Sequence, residues 1–217
     1  MTMQPSARTI RRILPSLLIS LAGCFSLSRN PPPVQHYVLG GAGPADVRTA
    51  SRDTTDIAVG VRRLQLASFL ETPFIVVRRG AQRITFSEFH RWGEDLGGGI
   101  NRAVAEYLAP RAPFARLDVA PWPLGMNHDY LIELHVLSFE GMAPEDPSAQ
   151  EGEAHLLATW QIIRQQDGEV VGQGTTDFRK GGWRVGDYAG LVALLDAGLA
   201  ALAADLATSL GNLGGES

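Results

Sequence analysis

The stretch Tyr130-Leu131-Ile132-Glu133-Leu134-His135-Val136 decides the fold. Its even positions Tyr130, Ile132, Leu134 and Val136 are apolar while Glu133 and His135 point the other way, and a period of two marks a strand with one buried face. The pattern returns in Ala154, Leu156, Ala158, Trp160 and Ile162. Gln166-Asp167-Gly168-Glu169 then has the chemistry of a tight turn and leads into Val170 and Val171, so the second strand is expected to pair with a third.

Toward the carboxyl terminus, the alanine-rich run from Asp187 to Leu210 spaces Leu191, Leu195, Leu199, Leu202, Leu206 and Leu210 by four, four, three, four and four residues. That stripe predicts a long helix lying on the sheet, with Gly211 as its cap and residues 212–217 as a loose tail. Toward the amino terminus, Leu96, Ile100, Ala103, Val104, Tyr107 and Leu108 recur at helical spacing until Pro110. Gly97-Gly98-Gly99 weakens its first turn by up to about 1 kcal/mol per glycine relative to alanine. Phe74 to Arg79 and Arg83 to Phe89 flank Arg79-Gly80-Ala81 as a hairpin. Ile57, Val59 and Val61 predict another strand, and Tyr37-Val38-Leu39 the first, with a Gly/Pro/Asp-rich loop between them. The expected fold is α+β, one domain over residues 35–211. Its sheet is mixed or mostly antiparallel, with two main helices packed on one face.

Ahead of this body, Arg8, Arg11 and Arg12 precede an apolar run from Ile13 to Ala22. About ten apolar residues span roughly 15 Å as a helix, half the hydrocarbon thickness of a bilayer, so the run reads as an export signal rather than a membrane span. No later stretch reaches 18 uninterrupted apolar residues free of glycine and charge, so nothing else is expected to span. Leu21-Ala22-Gly23-Cys24 resembles the lipobox of bacterial lipoproteins. The resemblance implies a diacylglyceryl group on the Cys24 thiol, cleavage between Gly23 and Cys24, and a fatty acyl chain such as palmitate on the new amino terminus. Residues 1–23 are then a signal peptide and residues 24–34, with Pro31-Pro32-Pro33, a tether reaching at most about 30 Å. Phe25 follows the cysteine where an aspartate would retain a lipoprotein in the inner membrane. The expected location is therefore the outer membrane, facing the periplasm, with inner-membrane anchoring the alternative.

Losing residues 1–23 leaves 217 − 23 = 194 residues and removes three arginines, taking the formal charge from −4 to −4 − 3 = −7. An acidic body is a poor partner for nucleic acid. Cys24 is the one cysteine, so no internal disulfide can form and the core must hold the fold.

Catalytic signatures are missing. Gly41-Ala42-Gly43 follows a strand as a dinucleotide loop would, but the third glycine and an amphipathic helix after it are absent. No Gly-x-Ser-x-Gly elbow, Walker loop or His-Glu-x-x-His occurs. Glu133 with His135 and Glu153 with His155 could assemble a metal site if their strands were neighbours, although the polar face of a half-solvated strand is the ordinary seat of such residues. The expectation is no catalytic residue, no metal and no cofactor.

One segment is unusual. Ser87-Glu88-Phe89-His90-Arg91-Trp92-Gly93-Glu94-Asp95-Leu96 resembles the His-Arg-Trp-Ala-Glu-Pro-Leu signature of the PqiC-like lipoproteins. These are auxiliary components of ABC-type and mammalian-cell-entry (MCE) intermembrane transport systems. Leu64, Leu66, Phe69-Leu70, Pro73, Ile75-Val76 and Arg78 are similar to the run that precedes the signature in that family. Ala67, Phe69, Thr72, Gly93 and Asp95 depart from it, and Asp95 in place of proline makes a helix amino-terminal cap. The resemblance implies a non-enzymatic, lipid-anchored periplasmic subunit that links an inner-membrane lipid-transport machine to the outer membrane and supports envelope integrity. Its partners would be an MCE-domain protein, a permease and membrane lipid through Cys24, with a homo-oligomer possible and no nucleic acid. The rival classes are a structural or assembly lipoprotein of the envelope and an envelope hydrolase. For His90, Arg91, Trp92, Glu94, Leu96, Pro73 and Arg78 the leading reading is architectural: Trp92 plugs the core edge while Arg91 and Glu94 pair or cap the helix. A partner-binding surface is the second reading, since interface hot spots favour Trp and Arg.

Overall fold

The computed structural model describes residues 32–40, 57–112 and 114–213. The signal segment, Gly23 and Cys24, and the tether before Pro32 lie outside the described residues. In chain order the elements are β1 (Gln35–Tyr37), β2 (Ala58–Val61), β3 (Gln65–Leu66), a 3-10 turn (Ser68–Leu70), β4 (Phe74–Arg79), β5 (Arg83–Trp92), α1 (Leu96–Leu108), β6 (Arg116–Val119), β7 (Tyr130–Ala143), β8 (Glu151–Arg164), β9 (Val170–Arg184) and α2 (Tyr188–Leu213).

The nine strands form one mixed sheet, and β7 is its spine. Along one edge β7 runs antiparallel to β8, from Tyr130 opposite Arg164 to Met142 opposite Glu153. Three parallel strands share its other edge in succession: β2 beside Tyr130 to Ile132, β3 beside His135 and Val136, and β4 beside Gly141 to Ala143. β6 extends the sheet beyond β2, β5 and then β1 extend it beyond β4, and β9 closes the far side against β8. The expected antiparallel hairpin of β4 and β5 and the turn joining β8 to β9 are both present.

The alternation that announced β7 holds up to Val136, with Ile132, Leu134 and Val136 buried. A bulge between Val136 and Ser138 then inserts an extra residue and reverses the parity, so Phe139, Gly141 and Ala143 are buried instead. Gly141 is required there: a Cβ would fall 2.7 Å from the Trp183 ring and 2.9 Å from Leu191 on α2.

Both helices contribute to a single hydrophobic core. Asp95 caps α1, its carboxylate accepting the Gly98 N–H at 2.9 Å, and the three glycines all lie within the helix. Leu96, Ile100, Ala103, Val104 and Leu108 are its buried side. In α2 all six leucines of the stripe are buried, and Asp187 caps the start by accepting the Gly190 N–H at 2.9 Å. The helix runs through Gly211 to Leu213, which packs on the core, so Gly211 does not end it. By length and composition α2 could cross a membrane, with a mean hydropathy of 1.8, but its leucine stripe is spent inside the globule.

Candidate functional site

The segment His90-Arg91-Trp92 does not link the hairpin to α1 as a loop. It is the end of β5, held extended because β1 pairs alongside it, Gln35 opposite His90 and Tyr37 opposite Trp92. The Trp92 N–H donates to the Pro73 carbonyl at 2.8 Å and the Gly93 N–H to the Tyr37 carbonyl at 2.7 Å, stitching β5 to both neighbours. Successive side chains on a strand face opposite ways, so these three residues are dealt alternately to the two sides of the sheet.

Trp92 goes inward. It is 5 % exposed and tilts against Phe139 of β7 with ring centroids 5.8 Å apart. His90 stacks on Tyr188 in the first turn of α2, centroids 4.2 Å apart at 17°. Its Nδ1 lies 3.0 Å from the Tyr37 hydroxyl, which itself donates to Gln35 Oε1 at 2.7 Å. Burial pushes the Tyr37 phenol above its ordinary pKa, with Asp187 and Tyr188 adding to the shift, so the hydroxyl stays protonated. Arg91 goes outward and lays its guanidinium over the Phe74 ring at 4.9 Å.

The remaining signature residues surround this junction. Glu94 pairs with Arg102, which also bonds Glu106 at 3.0 Å and the Leu39 carbonyl at 2.9 Å. The two carboxylates, Glu94 foremost, raise the Arg102 pKa further. Leu96 is buried at the start of α1. Pro73 is exposed and serves through its carbonyl. Arg78 packs over Phe69 at 5.4 Å and closes on Glu140 of β7, Nε to Oε1 at 2.7 Å.

Sequence reasoning missed Tyr188, Glu140 and Asp196 in this neighbourhood. Asp196 of α2 accepts from the Gly40 N–H at 2.9 Å and from the Tyr107 hydroxyl, tying the exit of β1 and the end of α1 to one carboxylate. An acid inside an otherwise apolar helical run was the available signal.

The two acid–imidazole pairs on β7 and β8 do not converge. The strands are neighbours, but His135 stands opposite Thr159 and His155 opposite Glu140, roughly 13 Å apart along the ladder. Glu133 pairs with Arg62, and His155 is buried with its Nε2 2.9 Å from Asp177. Among the described residues no three His, Cys, Asp or Glu side chains are grouped to hold a metal. A cleft of about 380 Å³ is lined by Asn127, His128, Asp129, Tyr130, Arg164, Gln165 and Gln166. Its charged groups are already engaged: His128 with Asp118 at 2.8 Å, Asp129 with the Ala58 N–H at 2.7 Å, and Arg164 with Asp167 and Glu169.

The sequence matches the family model described as ABC-type transport auxiliary lipoprotein component over residues 37–207. No curated protein matches it at a significant level. Among solved structures, the crystal structure of protein XCC0632 from Xanthomonas campestris is similar with a TM-score of 0.65 and 15 % identity, over 86 % of this chain and 97 % of that one. The crystal structure of an uncharacterized protein is similar with a TM-score of 0.57 and 16 % identity, over 82 % of this chain and 99 % of that one. At these identities the likeness is one of fold.

Proposed function

This chain belongs to the family of ABC-type transport auxiliary lipoprotein components, and from that premise we propose that it is the lipid-anchored periplasmic subunit of an MCE-type intermembrane lipid transport system. The family places the protein in the cell envelope and is not an enzyme family. In the proposed arrangement Cys24 carries the acyl chains in the outer membrane, and the tether holds one rigid domain against that bilayer. The domain docks the MCE-domain protein that the inner-membrane permease feeds. The observation that carries the reading is the family match running from Tyr37, in the first strand, to residue 207, deep in the last helix. The architecture supports it: the signature residues bind β5, β1, α1 and α2 into one stiff junction, as an adaptor that transmits position rather than chemistry requires. Two acyl chains suffice for stable anchoring.

The test is site-specific photo-crosslinking in intact cells, with the probe at exposed positions around the junction, such as Val38 and Glu88. Capture of an MCE-domain protein is the expected result. Capture of cell-wall or assembly proteins alone, with no transporter component at any position, would replace the transport role by a structural one. Replacing Cys24 by alanine should leave an unlipidated precursor, and normal anchoring of that variant would refute the lipoprotein assignment of this cysteine.

A further inference from the structure

Between Asp118 and His128 the chain carries no charged residue, and it spends that stretch on Val119-Ala120-Pro121-Trp122-Pro123-Leu124-Gly125-Met126-Asn127. This is the loop that leaves β6 and returns to β7. Both of its roots are fastened to β2: the Ala120 N–H donates to the Val61 carbonyl at 2.9 Å and the Asp129 N–H to the Ala58 carbonyl at 2.8 Å. Gly125 turns the tip with a φ of 86°. Trp122 leans on His128, centroids 4.6 Å apart, and His128 is buried and bonded to Asp118, so the indole stands on a rigid base. Beyond it the Leu124 side chain is completely exposed, at 104 %.

A single exposed leucine is ordinary, but here it crowns an uncharged projection on an acidic protein, with a tryptophan at its root. The other three tryptophans, Trp92, Trp160 and Trp183, are all in the core. We propose that this loop dips into the interfacial layer of the glycerophospholipid bilayer that holds the acyl anchor, with Leu124 among the acyl chains and Trp122 at headgroup depth. The proposal rests on the lipoprotein reading of Cys24. The chemistry is that of a membrane-interface contact, where indoles concentrate at headgroup level and an apolar tip reaches the acyl chains. Reach is consistent with it. β1 and β6 lie on the same side of β7, β1 reached through β5 and β4 near Gly141 and β6 through β2 near Ile132, so they are offset along the strands by up to nine residues, or about 30 Å. The ten residues between Cys24 and β1 reach at most about 30 Å, which matches that offset, so anchor and loop can meet one surface. With no charge in the loop, the contact needs no anionic headgroup.

The experiment uses the full-length acylated protein reconstituted into phosphatidylethanolamine and phosphatidylglycerol vesicles, with plain or brominated acyl chains. Bromine quenches indole fluorescence only at short range. The expected result is partial quenching in the brominated vesicles that persists at raised salt, disappears in Trp122→Phe and is largely lost in Leu124→Asp. Equal fluorescence in the two kinds of vesicle, from protein that floats with them, overturns the loop contact and leaves the anchor standing. Protein that fails to float overturns the anchor and the loop contact together. A photo-crosslinker at residue 124 that captures a protein in cells and no lipid also overturns it.

Discussion

The carboxylate of Glu140 on β7, only 1 % exposed, is met by Arg78 of β4 at two points, with Nε 2.7 Å from Oε1 and Nη2 3.3 Å from Oε2. Two parallel hydrogen bonds from a guanidinium fork to a carboxylate are the geometry in which such a pair is strong. Removing one partner strands a buried charge, which costs far more than the pair contributes. Arg78→Ala should therefore destabilise the fold by about 3 to 5 kcal/mol in urea unfolding. Arg78→Met combined with Glu140→Leu should recover most of that loss. A single variant within about 1 kcal/mol of the parent would show that Glu140 is hydrated in solution.

Trp92 separates architecture from docking. Its indole fills the space between β5 and Phe139, so Trp92→Ala should cost about 3 to 5 kcal/mol, read as a lower denaturation midpoint. Unchanged stability together with loss of crosslinks to a transport partner would assign the residue to a binding surface instead.

Asp95 holds one exposed amide of α1 through its side chain, the Gly98 N–H at 2.9 Å. Asp95→Ala should lower stability by about 1 kcal/mol, whereas Asp95→Asn keeps an accepting oxygen and should cost much less. If alanine and asparagine behave alike in thermal melts, the cap contributes nothing measurable to the helix.

Tyr107 carries the alkaline prediction. Burial first, then the hydrogen bond to Asp196 and its charge, push the phenol well above its ordinary value. A group whose pKa is raised on folding contributes stability that is complete below its unfolded pKa, near 10 for tyrosine, and that is lost as pH climbs through the folded value. Stability should therefore fall in strong alkali. In a phenolate absorbance titration Tyr107 should be the last tyrosine to ionise, and Tyr107→Phe should abolish that final step. Survival of the step in the phenylalanine variant would assign it to another tyrosine.

The strands and helices that decide the fold were legible because their patterns are local: the alternation of Ile132, Leu134 and Val136, the leucine stripe of α2, and the Asp95 cap all report on neighbours along the chain. What stayed hidden depends on pairing. The extension of β5 to Trp92 exists because β1 lies beside it, and three residues from the far amino-terminal side cannot announce that in the sequence of β5. The bulge after Val136 breaks the alternation from which Glu140 would otherwise be read, and its burial depends on a remote arginine. The His90–Tyr188 stack joins residues almost a hundred positions apart. The signature segment could be recognised as a string, but which of its side chains point inward follows only from its strand conformation.

The tiling of one β7 edge by β2, β3 and β4 also dictates an order of events. A polypeptide threaded amino end first through a translocation pore delivers those three strands long before the strand that receives them. Residues 58–79 therefore have no β7 to pair with until residues 130–143 have followed, and on the proposed lipoprotein route this delay coincides with the modification of Cys24. Long-range pairings of this kind form slowly. If the chain is acylated as proposed, that reaction has time to finish before the globule closes behind it.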